Sequence, residues 1–197
     1  MTITHQDDLD GLKKIGRIVA NTMQSMAAAM EPGMTTRELD SIGRELLERK
    51  GAVSAPQATY DLPGTTCISV NEEIAHGVPG ERKLAAGDLV NIDVSASLNG
   101  YFADTGASVS LGSVQPSLDQ LCRDGKRAMQ IGIAQVGHDK PLAGIGNAIG
   151  AFASKRGYTL IRNLASHGVG KALHEAPEEV RPGPPRETGA GCTTASC

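Results

Sequence analysis

The 197-residue chain has no tryptophan, only three tyrosines and two phenylalanines. It also has no apolar run approaching the roughly 20 residues that a helical membrane span requires, which excludes a membrane protein. Four cysteines, Cys67, Cys122, Cys192 and Cys197, are too few and too scattered for a disulfide scaffold, and no CxxC pair suggests a structural zinc site, so reduced thiols are expected. No sign of charge dominates. Nineteen Lys and Arg against 22 Asp and Glu leave a net charge of −3, which gives no electrostatic footprint for nucleic acid or an anionic membrane surface. The opening MTITHQDDLDGLKK carries early acids and no apolar segment, unlike a secretory signal or a transit peptide, and a cytoplasmic home is expected. There is no HExxH pair, since His167 and His174 stand seven residues apart, which excludes the zincin mechanism, and no GxSxG or Cys beside His supports a nucleophilic triad.

What is present is ordinary in bulk, 40% hydrophobic and 21% charged, with 24 glycines that gather in turns beside polar residues. Leu9, Leu12, Ile15, Val19, Met23, Met26 and Met30 recur at helical spacing and predict a helix over 8–30 with one buried face, stopped by Pro32-Gly33. Thr35 with Glu38 forms a capping box for a second helix to about Lys50. A short strand is expected over 66–70, then a turn-rich loop through His76-Gly77-Val78-Pro79-Gly80. Residues 88–111 read as a hairpin, two alternating runs joined by Asn99-Gly100, the preferred pair for a type I′ turn. Ser117 with Gln120 is expected to open a third helix to about Gln135, Pro141 precedes a fourth to about Lys155, and a last strand is expected over 158–163. After Val180 the sequence turns to RPGPPRETGAGCTTASC, which has no periodicity and predicts a disordered tail over 181–197 behind a domain of residues 1–180.

A two-residue turn at Asn99-Gly100 sets Asp93 opposite Gly106 and Ser95 opposite Asp104, so the two aspartates become diagonal neighbours on the polar face of the hairpin. Two carboxylates that close repel unless a proton or a cation lies between them, and a solvated face is the third arrangement open to them. His76, His167 and His174 all stand in Gly-flanked segments that read as turns, where a side chain can enter a cleft; His5 and His138 read as surface residues.

Three strings then carry a family resemblance: Cys67-Ile68-Ser69-Val70-Asn71-Glu72-Glu73-Ile74-Ala75-His76-Gly77-Val78-Pro79; Asn91-Ile92-Asp93-Val94 with Gly100-Tyr101-Phe102-Ala103-Asp104-Thr105; and Ser166-His167-Gly168-Val169-Gly170 with Leu173-His174-Glu175-Ala176-Pro177. Together with Pro32-Gly33-Met34-Thr35-Thr36 and Glu38-Leu39-Asp40 they resemble, in order over residues 8–178, the bacterial type I methionine aminopeptidases. The resemblance implies an α/β (α+β) pita-bread fold, a curved antiparallel sheet with flanking helices, and a paired divalent metal site held by two Asp, one His and two Glu. By motif, Asp93, Asp104 and His167 are the first three ligands. His76 and His174 match histidines that contact substrate and stabilise the transition state, and Cys67 matches a residue lining the pocket for the methionine side chain. Such mixed oxygen and imidazole ligands suit Mn, Fe, Co or Zn. The implied partners are methionyl peptides and nascent chains, with the ribosome by resemblance alone.

Two departures accompany the match. Leu173 stands where the family usually has an aromatic, and the two glutamate ligands, one in a Thr-x-Glu-Pro strand, have no counterpart in motif; Glu178, Glu179 and Glu187 lack the context. The expectation is a methionine aminopeptidase lacking its C-terminal part, with fewer than the family's two metals per chain. A catalytically inactive peptide-binding fragment and the Xaa-Pro peptidase branch of the same fold are the alternatives.

Overall fold

The computed structural model describes residues 3–113, 115–161 and 163–181. The expected tail lies outside the described residues from Pro182 onward. The chain divides into two compact units, one of Met1–Arg123 with His167–Glu178, the other of Asp124–Ser166 with Glu179–Cys197. Among the described residues no helix is long and apolar enough to cross a membrane.

The first unit is built on a long helix against an antiparallel sheet. Helix α1, Gln6–Ala29, buries Ile15, Val19 and Met26 along one stripe, as its apolar spacing requires. Thr35 caps α2, Thr36–Glu48: its hydroxyl accepts from the Glu38 N–H at 3.1 Å while the Glu38 carboxylate accepts from the Thr35 N–H at 2.8 Å, which completes the expected capping box. After β1, Val53–Ser54, comes a six-residue helix, α3, Ala55–Tyr60, which the sequence pattern does not reveal. It has Pro56 in its first turn, with Ser54 as the cap that accepts from the Gln57 N–H.

Strand β2, Cys67–Val70, leads to the hairpin of β3, Leu89–Leu98, and β4, Tyr101–Ser110. Asn99 and Gly100 have φ of +53° and +78°, as a type I′ turn demands, and the ladder runs without a bulge from Leu98↔Tyr101 to Leu89↔Ser110. Strand β3 is the spine of the sheet: β1 and β2 both pair along one edge and β4 along the other, all antiparallel. Val90, Ile92, Val94 and Ala96 are fully buried and meet Ile68, Val70, Leu39, Leu47 and the α1 stripe in one core. Gly11 is where Tyr101 crosses α1, since a Cβ there would lie 2.5 Å from the ring.

Two short paired strands, β5 at Ser166–Gly168 and β6 at Glu175–Val180, close the described chain. His167 therefore sits in a strand, not in the expected turn: its neighbour Gly168 passes so close to the Glu175 and Ala176 carbonyls that a Cβ would lie 2.6 Å from each. Helix α4, Pro116–Ile133, whose residues fall in the first unit up to Arg123 and in the second from Asp124, begins one residue before Ser117, because Pro116 already supplies helical φ at the first position. Helix α5 spans Ala143–Lys155. The buried Asp124 carboxylate accepts from Arg156 at 3.1 and 2.7 Å and from the Tyr158 hydroxyl at 2.7 Å. The strand expected over 158–163 is not formed at residues 158–161 or 163. The Tyr158 N–H is committed to the Ala153 carbonyl at the end of α5 and its hydroxyl to Asp124, and no described strand lies alongside to complete a ladder.

Asp40 of α2 fixes the entry to β2. Its buried carboxylate accepts from the Thr65 N–H at 3.1 Å and from the Thr66 N–H and hydroxyl, both at 2.8 Å. Asp40→Ala is expected to strand these buried donors and lower the free energy of unfolding by about 3 kcal/mol in urea titrations, with Asp40→Asn, which keeps one acceptor, losing about half as much. Equal stability of all three proteins would show that the contact contributes nothing net.

Candidate metal centre

The register of the hairpin decides what the site contains. Asp93 lies between Cys67 on β2 and Gly106 on β4, and Asp104 lies opposite Ser95, so the two carboxylates share the polar face as expected. Burial, reinforced by the Asp104 charge and by hydrogen bonding with its carboxyl, lifts Asp93 to about 7, so that the pair favours retaining a proton. Cys67 is buried directly across from Asp93, and burial together with the charges of Asp93, Asp104 and Asp40 pushes its thiol up to about 12. It is a neutral wall residue with no nucleophilic character.

Strand β5 brings His167 to the outer carboxylate, with Nε2 3.9 Å from Asp104 Oδ2, too long for a hydrogen bond. His167 Nδ1 lies 3.1 Å from the Gly168 carbonyl oxygen. A carbonyl only accepts, so Nδ1 carries the hydrogen, and in the neutral form of such a ring the lone pair lies on Nε2, the nitrogen nearer Asp104. The His174 ring stacks on His167 with centroids 3.7 Å apart and an interplanar angle of 33°. Burial, helped by the proximity of a second imidazole and opposed by Asp104, lowers the His174 pKa below the usual histidine range. His76 is exposed, on a left-handed backbone with φ of +57°, in the loop tied to β2 by Gly77, whose carbonyl accepts from the Ile68 N–H at 2.9 Å.

The fold thus gathers Cys67, His76, Asp93, Asp104, His167 and His174 in the first unit. It also adds Tyr60, which the sequence does not single out, with its hydroxyl oxygen 2.6 Å from His174 Nδ1. Lys171, between the two histidines, is held by Asp8 at 3.3 Å and lies 3.4 Å over the Tyr101 ring, while the Phe102 N–H donates to the Gly170 carbonyl, so the loop from β5 to β6 is pinned to α1 and β4.

Paired carboxylates on a rigid hairpin beside an imidazole are the donor types that metallohydrolase sites use. A model of metallopeptidase family M24 matches residues 10–194. Methionine aminopeptidase 2 of Bacillus subtilis is 49% identical over 181 residues, 91% of this chain and 73% of that protein. A methionine aminopeptidase of Staphylococcus epidermidis is 48% identical, over 91% of this chain and 72% of that one. The crystal structure of methionine aminopeptidase from Rickettsia prowazekii superposes with a TM-score of 0.89 at 29% identity, covering 96% of this chain and 76% of that chain. Prolidase from Pyrococcus furiosus, at 19% identity, shares the fold with a TM-score of 0.79, covering 91% of this chain and 52% of its own. The chain belongs to metallopeptidase family M24, in its methionine aminopeptidase branch, and has the pita-bread fold.

Membership implies divalent metal ions. Among the described residues no three or more His, Cys, Asp or Glu side chains converge as a ready-made ion cage. The chemistry of the donors nevertheless fits such an ion: the repulsion that raises the Asp93 pKa is one that a cation would relieve as a proton does, and the His167 imidazole lies beside Asp104.

The shared proton sets a pH dependence. Asp93 holds a proton in the folded chain up to about pH 7, whereas an unfolded aspartate releases it near pH 4, so between those limits the folded state binds more protons and stability falls as pH rises. The metal-free protein is expected to lose thermal stability from pH 4 to 7 and level off above. Asp93→Asn should remove that slope and raise the melting temperature at pH 8. Mn titrated at pH 6 should release about one proton per ion and bind more tightly at pH 8; pH-independent binding would show that the carboxylates do not hold it.

Proposed function

We propose that this chain carries the substrate- and metal-binding part of a methionine aminopeptidase, an enzyme that hydrolyses the bond after the N-terminal methionine of peptides and nascent chains in the cytoplasm, with turnover impaired by the lack of two glutamate donors in motif context. The observation that carries the reading is the carboxylate pair Asp93–Asp104 beside His167, in a chain 49% identical to a protein of that name. Asp93, Asp104 and His167 would hold the divalent ion, Mn, Fe, Co or Zn, which when bound lowers the pKa of water and polarises a carbonyl.

The chain's own residues do the rest. Asp93 and Asp104 give up their shared proton before they can act as anionic donors. Cys67, kept neutral, supplies apolar surface beside them for a methionine side chain. His174, held by Tyr60 and His167, and His76 on its left-handed backbone contact the peptide near the scissile bond. Leu173, buried at the position where an aromatic is usual, shapes the pocket with a smaller, branched side chain.

Three of the family's five donors stand in motif context in this sequence, and the turnover expected of the 197-residue polypeptide follows from that number. In saturating Mn or Co it should hydrolyse Met-Ala-Ser negligibly. Replacing residues 181–197 by the two glutamate-bearing strands of a bacterial relative should restore turnover, which Asp93→Asn should then lower by at least about 100-fold. Robust hydrolysis by the polypeptide itself would show that three donors suffice, and cleavage of Xaa-Pro but not Met-Ala peptides would replace the proposed substrate.

A further inference from the structure

Two imidazoles stacked 3.7 Å apart are each held through Nδ1, but by partners of opposite character. His167 Nδ1 faces a backbone carbonyl oxygen, which only accepts, and so carries the hydrogen. His174 Nδ1 faces the Tyr60 hydroxyl at 2.6 Å, the short end of the hydrogen-bond range. A phenol can donate or accept, so acid strength decides the direction. A phenolic O–H, with a pKa near 10, is a far stronger acid than a neutral imidazole N–H, and an imidazole lone pair is the better acceptor. The favourable arrangement is O–H···Nδ1, which leaves the hydrogen of His174 on Nε2, the nitrogen turned away from Tyr60.

We infer that Tyr60 is a positioning residue that fixes His174 as the Nε2–H tautomer, making it a hydrogen-bond donor to the carbonyl oxygen of a bound methionyl peptide while the stacked His167 presents a lone pair to a cation. This rests on the proposed function for the identity of the peptide, though not for the tautomer. The division of labour has a physical reason. Stacked rings carrying the same tautomer would offer two lone pairs or two donors to one cleft, whereas opposite tautomers serve a cation and a carbonyl side by side. Tyr60 is well placed for this role, because it ends α3, so that its backbone is set by a capped helix, and its ring meets His174 edge-on at 5.8 Å between centroids. It is also 56% exposed, so losing its hydroxyl leaves no buried group unpaired in the core.

The test uses the metal-free 197-residue chain with 15N-labelled histidine and long-range proton–nitrogen spectra at pH 8. His174 should show a pyridine-type Nδ1 and a pyrrole-type Nε2, at least nine-tenths one tautomer, and His167 the reverse. Tyr60→Phe, which keeps the ring and removes only the hydroxyl, should let His174 relax to a mixture with a tenth or more Nδ1–H while His167 and the melting temperature stay unchanged. A pyrrole-type Nδ1 in the parent, or an unaltered His174 in Tyr60→Phe, would overturn the inference. Adding Met-Ala-Ser at millimolar concentration should shift the His174 Nε2–H proton in the parent and shift it several-fold less in Tyr60→Phe. Equal shifts in both proteins would overturn the positioning role. A shift with Xaa-Pro peptides alone would overturn the proposed substrate and leave the tautomer standing.

Discussion

The antiparallel register of β3 and β4 is the constraint on which the site and the core both depend. A strand alternates its side chains, so one choice of pairing places Val90, Ile92, Val94 and Ala96 in the core and, by the same stroke, Asp93 among polar neighbours. A slip of one residue would turn the aspartate into the core and the valines outward, at a cost of several buried side chains of roughly 1.5–3 kcal/mol each. Hydrophobic burial therefore enforces the carboxylate geometry, and the turn at Asn99-Gly100 selects it locally by accepting positive φ at both positions. Because β3 is paired along both edges, by β1 and β2 on one side and β4 on the other, Asp93 cannot escape its partner by bending the strand.

That rigidity has a thermodynamic consequence. Two neighbouring carboxylates, one of them half-buried, disfavour the fold in their ionised form, which raises the Asp93 pKa and favours retention of a proton. The sequence tolerates an arrangement that stability alone would reject, and the tolerance is located where chemistry is expected. The same environment silences Cys67. Both effects come from one cause, burial beside accumulated negative charge, and act in opposite functional directions: the site becomes receptive to a cation and poor in nucleophiles.

What can be read from the sequence divides along this line. The hairpin, the capping box at Thr35 and the α1 stripe are local, since turn chemistry, a hydroxyl three residues from a carboxylate and a 3.6-residue period each lie within a few positions. The Asp93–Asp104 proximity inherits that legibility from the turn. Helix α3 is hidden because six residues are too few for a period to emerge, and β5 and β6 because three and six residues among glycines, Pro and acids read as turns. The expectation of a strand at 158–163 rests on β-branched and aromatic content alone. Propensity describes what a segment can do, whereas a ladder needs a neighbour.

The assignment of His174 marks the far end of this scale. Tyr60 and His174 are 114 residues apart in sequence and meet through α3 on one side and the loop between β5 and β6 on the other. No pattern within either segment encodes the contact; it exists because Asp40 fixes the approach to β2 and because Lys171, Asp8 and Tyr101 pin the loop that carries the histidine. The two proposed carboxylate donors, Asp93 and Asp104, are set by one strand register, but the hydrogen-bonding pattern of the imidazoles is set by how several independently anchored segments converge. A substitution of Asp93 or Asp104 in the hairpin would thus remove a donor outright, whereas one at Tyr60 in α3 would leave every donor present and alter which nitrogen His174 presents. The two kinds of change are separable by experiment, since the first acts on whether an ion binds and the second on how a carbonyl is met once it does.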